Sequence, residues 1–198
     1  MIDPPGPVLA KAALRARLLA RRQGRSAEER GAAARAVAAT LVDGLRGVRR
    51  LAAFVPDDTE PGHGLLPAAL ARAGLQVLLP VVPPVGRDLD WAEDTGRLVP
   101  GRFGLLEPVG PRLGPDALGT VEVVVLPALA VDRSGLRLGR GGGYYDTALV
   151  RARPDAVLVA LLFDDERVDE LPAEAHDRPV TAVVTPSGGW AELSGRRR

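Results

Sequence analysis

Val121-Glu-Val-Val-Val-Leu126, stopped by Pro127, is the strongest strand in the chain. It is apolar almost throughout, as expected of a strand buried on both faces. Similar runs lie on either side: Leu51-Ala-Ala-Phe-Val55 ending at Pro56, Gln76-Val-Leu-Leu-Pro-Val-Val82, residues 156–163 and residues 180–184. Leu89-Asp-Trp91 makes a further short strand. Between these runs the pattern turns helical. Residues 8–22 carry Leu14, Leu18 and Leu19 on one stripe, and Ser26-Ala-Glu-Glu29 is a capping box opening a second helix to residue 42. Residues 65–73, stopped by Gly74, and residues 144–151 add two more. Buried strands separated by helices predict an α/β fold: one layered domain, a central mostly parallel sheet flanked by helices, and helices at the N-terminus. In such sheets ligands bind beyond the carboxyl ends of the strands. The loops 56–64, 127–143 and 164–177 are expected there.

The domain is expected to span residues 8–190, with the Pro/Gly-rich stretch 83–115 as a lobe of loops and short strands. Residues 1–7 are expected to lie outside the ordered fold, and 191–198 to form a basic tail. With 198 residues and 46% apolar content, the chain can bury one good core. Lys plus Arg is 26 against 25 for Asp plus Glu, a balance that argues against a protein built to coat nucleic acid. The absence of cysteine excludes disulfides and thiol nucleophiles, and two histidines exclude a multi-histidine zinc site. No apolar run approaches the roughly 20 residues of a membrane span. The expectation is a soluble cytoplasmic protein.

Chemistry concentrates in Arg137-Leu-Gly-Arg-Gly-Gly-Gly-Tyr-Tyr-Asp146. Four glycines within five positions let bare backbone approach a ligand and aim N–H groups at an anion. The P-loop pattern does not fit. The dinucleotide fingerprint fails too, because its third glycine would fall on Tyr144. The loop is an anion site of another kind, or a structural turn. Elsewhere, Lys11, the only lysine, shares a helix face with Arg15. That face is either solvated or anion-binding. Glu60 is either a solvated loop carboxylate or a ligand for a polar group. Asp164, Asp165, Glu166 and Asp177 are either an acidic surface or, with Asp146, a magnesium site. His63 and His176 have no serine or cysteine partner at a useful spacing, so nothing supports a hydrolase triad.

The run Pro127-Ala-Leu-Ala-Val-Asp-Arg-Ser-Gly-Leu-Arg-Leu-Gly-Arg-Gly-Gly-Gly-Tyr-Tyr-Asp146 resembles the signature of the 5-formyltetrahydrofolate cyclo-ligase family, also called methenyltetrahydrofolate synthetases. Lys11-x-x-x-Arg15, Glu60, Gly104-Leu-Leu-Glu-Pro108 and His176-Asp177 resemble further family features in the same order, over residues 8 to 185. One departure is Glu60-Pro-Gly-His63, where the family usually has Glu-x-x-Thr.

The resemblance implies ATP-dependent conversion of 5-formyltetrahydrofolate to 5,10-methenyltetrahydrofolate with release of ADP and phosphate. It implies ATP binding by Lys11, Arg15, Arg137, Leu138, Gly139, Arg140, Gly141, Gly142, Gly143, Tyr144 and Tyr145. The folate would meet Val55, Glu60 and residues 140–144. Arg137, Arg140 and Tyr144 would act in catalysis, and Asp146 and Asp177 would hold Mg2+. Trp91 either stacks on a flat ring or belongs to the core. The expected partners are small molecules, with no nucleic acid or membrane, and the expected state is a monomer. Two competing readings are a non-catalytic folate- or nucleotide-binding protein of the same fold, motivated by His63, and a sugar-phosphate isomerase on a similar scaffold.

Overall fold

The computed structural model describes residues 7–172 and 178–193. A seven-stranded sheet runs through the centre in the order β11-β10-β9-β6-β1-β2-β3. Its strands are β1 (Arg50–Ala52), β2 (Gln76–Val81), β3 (Asp90–Glu93), β6 (Val123–Pro127), β9 (Val157–Leu161), β10 (Ala182–Thr185) and β11 (Gly189–Glu192). The five inner strands pair in parallel; β3 and β11 cap the two edges antiparallel. The expected mostly parallel sheet is therefore present. β11 runs across the boundary drawn at residue 190. Its Trp190 packs against Gly44, where any side chain would collide with the indole at 2.6 Å.

Side-chain alternation along the inner strands explains the layering. Val124 and Leu126 of β6 face one hydrophobic cluster with Leu158, Ala160 and Leu78. Val123 and Val125 face the opposite cluster with Val159, Leu161, Val77 and Leu79. Successive residues of a strand point to opposite faces, so a strand buried on both must be apolar throughout. Helices α2 (Ala27–Gly44) and α3 (Ala68–Arg72) cover the second face through Val37, Leu41 and Leu70. Ser26 caps α2 with the expected reciprocal capping box to Glu29. Helix α4 (Tyr144–Leu149) lies on the first face through Ala148 and Leu149. Trp91 is fully buried in that same cluster, so its role is core packing. The segment 83–115 contributes the hairpin β4 (Leu98–Pro100) and β5 (Leu106–Pro108), a separate two-stranded sheet beside the end of β2. A second hairpin, β7 (Ala130–Val131) with β8 (Arg137–Leu138), follows β6.

Helix α1 (Pro7–Gln23) packs on this second hairpin, with Leu18 against Leu129, Ala130 and Leu138. Its carboxyl end is bolted down by a buried ion pair. Arg22 Nε and Nη2 donate to the two Glu166 carboxylate oxygens at 2.6 and 2.7 Å, and Nη2 also donates to the Ala128 carbonyl. Glu166 in turn accepts from the Phe163 amide at 2.9 Å. Arg21 and Arg25 both pair with Asp165, and Arg25 lies 4.0 Å over the Phe163 ring. Two of the acidic residues read as a candidate metal group, Asp165 and Glu166, are thus engaged in structure. Asp164 likewise accepts from Ser187.

Removing one partner of a buried pair strands the other charge without water, at a typical cost of about 3–5 kcal/mol. Glu166→Ala is expected to lower urea-denaturation stability by roughly that much. The apolar double variant Arg22→Met/Glu166→Leu should recover most of the loss. A Glu166→Ala loss below about 1 kcal/mol would show that water reaches Arg22.

Candidate functional site

The chain leaves the carboxyl ends of β1 and β6 in opposite directions, since β1 is followed by β2 on one side and β6 by β9 on the other. Such a reversal of strand order opens a crevice where no connection crosses. A cavity of about 790 Å³ occupies it, large on the scale of small-molecule sites, which run from about 300 to 1,000 Å³. Phe54 and Val55 after β1, Val82 after β2 and Ala128 after β6 line its floor. Every position from Arg137 to Asp146 lines it as well, together with Lys11, Arg15 and Glu60. Residues far apart in sequence are thereby brought together, apart from Asp177 and His176, which lie outside the described residues.

The glycine loop is held from three sides. Asp132 is buried and accepts from the amides of Ser134, Leu136 and Leu171, which fixes the β7–β8 turn. Gly135 in that turn has φ +88°, and a Cβ there would strike the Val180 carbonyl. Arg15 Nε donates to the Gly139 carbonyl at 2.9 Å, joining α1 to the loop. Gly141 and Gly143 adopt φ of +97° and +73°, a conformation costly to residues with a Cβ. Arg137 is nearly buried; it donates to the Arg178 carbonyl at 2.7 Å and pairs with Asp146.

Across the cavity, the loop after β1 is built by its own side chains. Asp57 Oδ1 accepts from the amide and hydroxyl of Thr59, and the Asp57 amide donates to Glu60 Oε2 at 3.0 Å. Arg140 reaches over from the glycine loop to pair with Asp57, with its Nε 3.6 Å from Glu60 Oε1. Burial, reinforced by the nearby Asp57 carboxylate, raises the pKa of Glu60 above the ordinary 4.5. The Tyr145 hydroxyl is buried with no hydrogen-bond partner among the described residues, and desolvation plus the Glu60 charge push its pKa up, so it stays a neutral phenol. His63 is exposed and is not part of the cavity wall; its Nδ1 lies 3.1 Å from the Pro56 carbonyl, bracing the loop's outer side.

Two wall residues, Arg87 and Phe103, have no counterpart in the sequence reading. The β4–β5 hairpin brings Phe103, Leu105 and Leu106 over the mouth, all exposed. Phe103 sits in a left-handed backbone conformation with its ring 6.3 Å from that of Tyr144. Glu107 is buried and accepts from the Val82 amide at 3.0 Å, which ties the hairpin to the end of β2. Gly104-Leu-Leu-Glu-Pro108 carried a signal for Glu107; exposed residues such as Phe103 and Arg87 carried none.

The family model for the 5-formyltetrahydrofolate cyclo-ligase family matches residues 8–186. The chain belongs to that family. It is a ligase of folate metabolism. Relatives include the 5-formyltetrahydrofolate cyclo-ligase of Mycolicibacterium smegmatis, 44% identical over 150 residues, covering 73% of this chain and 77% of that protein. The Escherichia coli K12 cyclo-ligase is 34% identical over 149 residues, covering 71% and 79%. The solution structure of Aquifex aeolicus 5,10-methenyltetrahydrofolate synthetase superposes with a TM-score of 0.72 at 28% identity, covering 95% of each chain. The Mycoplasma pneumoniae 5,10-methenyltetrahydrofolate synthetase, at 18% identity, shares the cyclo-ligase fold with a TM-score of 0.70 over 87% and 96%.

The electrostatics of Glu60 set a pH signature. With its folded pKa raised, its contribution to stability is favourable below the unfolded value and is lost as pH rises through the folded value. At neutral pH an ionised Glu60 therefore costs stability, and Glu60→Gln, which keeps an acceptor for the Asp57 amide, removes that cost. The melting temperature of Glu60→Gln should exceed that of the wild type at pH 7.5, with the gap closing as pH falls toward 4.5. A gap independent of pH would contradict the raised pKa.

Proposed function

We propose that this cavity is where ATP and 5-formyltetrahydrofolate meet, and that the chain joins them in ATP-dependent formation of 5,10-methenyltetrahydrofolate, ADP and phosphate. The observation that carries this reading is the convergence of Arg15, Glu60 and the entire run Arg137–Asp146 on one cavity wall in a chain of this family. A formamide carbonyl is a poor electrophile. Transfer of the γ-phosphoryl group to its oxygen turns that oxygen into a leaving group. N10 then attacks the same carbon, its proton departs, and phosphate leaves with the former formyl oxygen. Such transfer requires positioning and charge neutralisation more than a protein nucleophile. That suits a site without cysteine or a triad.

In this reading Lys11, Arg15 and residues 137–145 bind the nucleotide. Glu60 and Val55 hold the folate, and Arg140 and Tyr144 lie where the two substrates touch. Arg137, Arg140 and Tyr144 are the catalytic set, with guanidinium groups countering charge on the transferring phosphoryl. Among the described residues no group of three carboxylates or histidines could hold a metal unaided. Asp146, whose carboxylate is partly exposed in the cavity wall, still fits Mg2+, which takes one or two carboxylates plus phosphate oxygens and water. Asp177 is proposed beside it. The ion would neutralise phosphate charge. A cytoplasmic monomer completes the reading. No observation favours a non-catalytic relative: His63, the motive for that idea, stands outside the cavity wall.

The decisive assay mixes the protein with 5-formyltetrahydrofolate and Mg-ATP and follows the absorbance of the conjugated methenyl product. Absence of both product and ADP would end the proposal. Arg137→Ala and Asp146→Ala should each lower kcat/KM by at least about tenfold, or roughly 1.4 kcal/mol of transition-state stabilisation. Lys11→Ala should act mainly on the KM for ATP.

A further inference from the structure

Arg87 lies in the turn between β2 and β3, outside every motif considered so far. It lines the cavity and rests on the glycine loop. A Cβ placed on Gly143 would meet Arg87 Nη1 at 3.4 Å, Cδ at 3.5 Å and Cζ at 3.7 Å. Two residues earlier, a Cβ on Gly141 would meet Arg15 Cζ at 3.6 Å and Nε at 3.7 Å. Two guanidinium groups from separate elements, α1 and the β2–β3 turn, thus pack against the same short piece of bare backbone.

Their charge balance sets them apart from the other arginines of the cavity. Arg137 is paired with Asp146, and Arg140 with Asp57 and Glu60. Arg15 has the Gly139 carbonyl, which carries no formal charge. Arg87 has neither a hydrogen bond nor an ion pair with any described residue. A carboxylate stands next to it in sequence, yet Asp88 is taken by Arg151 through two hydrogen bonds of 3.1 and 2.6 Å. Some exposed arginines elsewhere, such as Arg46, Arg133 and Arg153, have a carboxylate partner, and others, such as Arg17 and Arg72, have none among the described residues; what distinguishes Arg87 is its place on the cavity wall against the glycine loop. A guanidinium is a planar fork that matches phosphate oxygens two at a time. With glycine N–H groups between them, two such forks present donors on both sides of one anionic chain.

We propose that Arg87 and Arg15 form a clamp across Gly141–Gly143 that grips the polyphosphate chain of ATP, with Arg87 a further nucleotide-binding residue supplied by the β2–β3 turn. This rests on the reading of the cavity as an ATP site, and it adds a binding residue from a segment carrying no family motif. Arg87 is exposed, so its replacement leaves the core untouched.

The test uses the full-length protein and two readouts. Calorimetric titration with inorganic tripolyphosphate needs no turnover, and steady-state kinetics give KM for ATP and for monoglutamyl 5-formyltetrahydrofolate separately. Arg87→Ala should weaken tripolyphosphate binding and raise the KM for ATP about tenfold each, the scale of one charge-assisted hydrogen-bond pair. Its kcat and folate KM should stay within about twofold. Arg87→Lys should recover only part, since it keeps the charge and loses the fork. Unchanged tripolyphosphate affinity and ATP KM in Arg87→Ala would overturn the clamp. So would a rise confined to the folate KM, which would give Arg87 to the glutamyl carboxylates. A wild type that binds tripolyphosphate through Arg87 but forms no methenyl product would support the clamp while ending the cyclo-ligase reading.

Discussion

β1 sits between β2 and β6, and everything functional follows from that placement. Because the chain first builds outward on one side of β1 and then returns to the other, the loops after β1 and β6 diverge at the top of the sheet. The gap cannot be filled by a crossover, since none passes there. Apolar residues on both faces of β6 and β9 make the floor of the gap rigid. The loops above can therefore be polar, glycine-rich and charged without weakening the domain.

Those loops hold their charges in two distinct ways. On the side proposed for the folate, Asp57, Glu60 and Arg140 satisfy one another in a local network. On the side proposed for the nucleotide, the guanidinium groups of Arg15 and Arg87 lie against glycine backbone, with no carboxylate among the described residues paired to them. A site with one half compensated and the other cationic is suited to a pair of substrates of unequal charge. The hydrogen-bonding edge of a pterin asks for matched donors and acceptors. A triphosphate asks for net positive charge.

Much of this was legible in the sequence, for physical reasons that differ by residue. The inner strands were readable because burial on both faces leaves no room for polar residues, as in Val123-Val-Val-Leu126 of β6. The glycine loop was readable because positive φ at Gly141 and Gly143 restricts residue type. The antiparallel edge strand 189–192 was missed, since an edge strand tolerates Gly, Trp and Glu in succession. The acidic run 164–166 read as a possible metal group, and only tertiary pairing with Arg21, Arg22 and Arg25 revealed its structural use. Arg87 and Phe103 reach the cavity from exposed turns, and no periodicity marks such residues.

Helix α1 also has a consequence in time. It precedes every other described element in the chain, yet Arg15 bonds to a carbonyl 124 positions later and Arg22 to a carboxylate 144 positions later. A helix with Ala and Arg at most of its exposed positions has little reason to dock before those partners exist. The cavity wall that α1 supplies is therefore completed late: its contact with the glycine loop needs residue 139, and its buried ion pair needs residue 166. A chain that stops short of residue 139 carries α1 without the glycine loop that Arg15 holds.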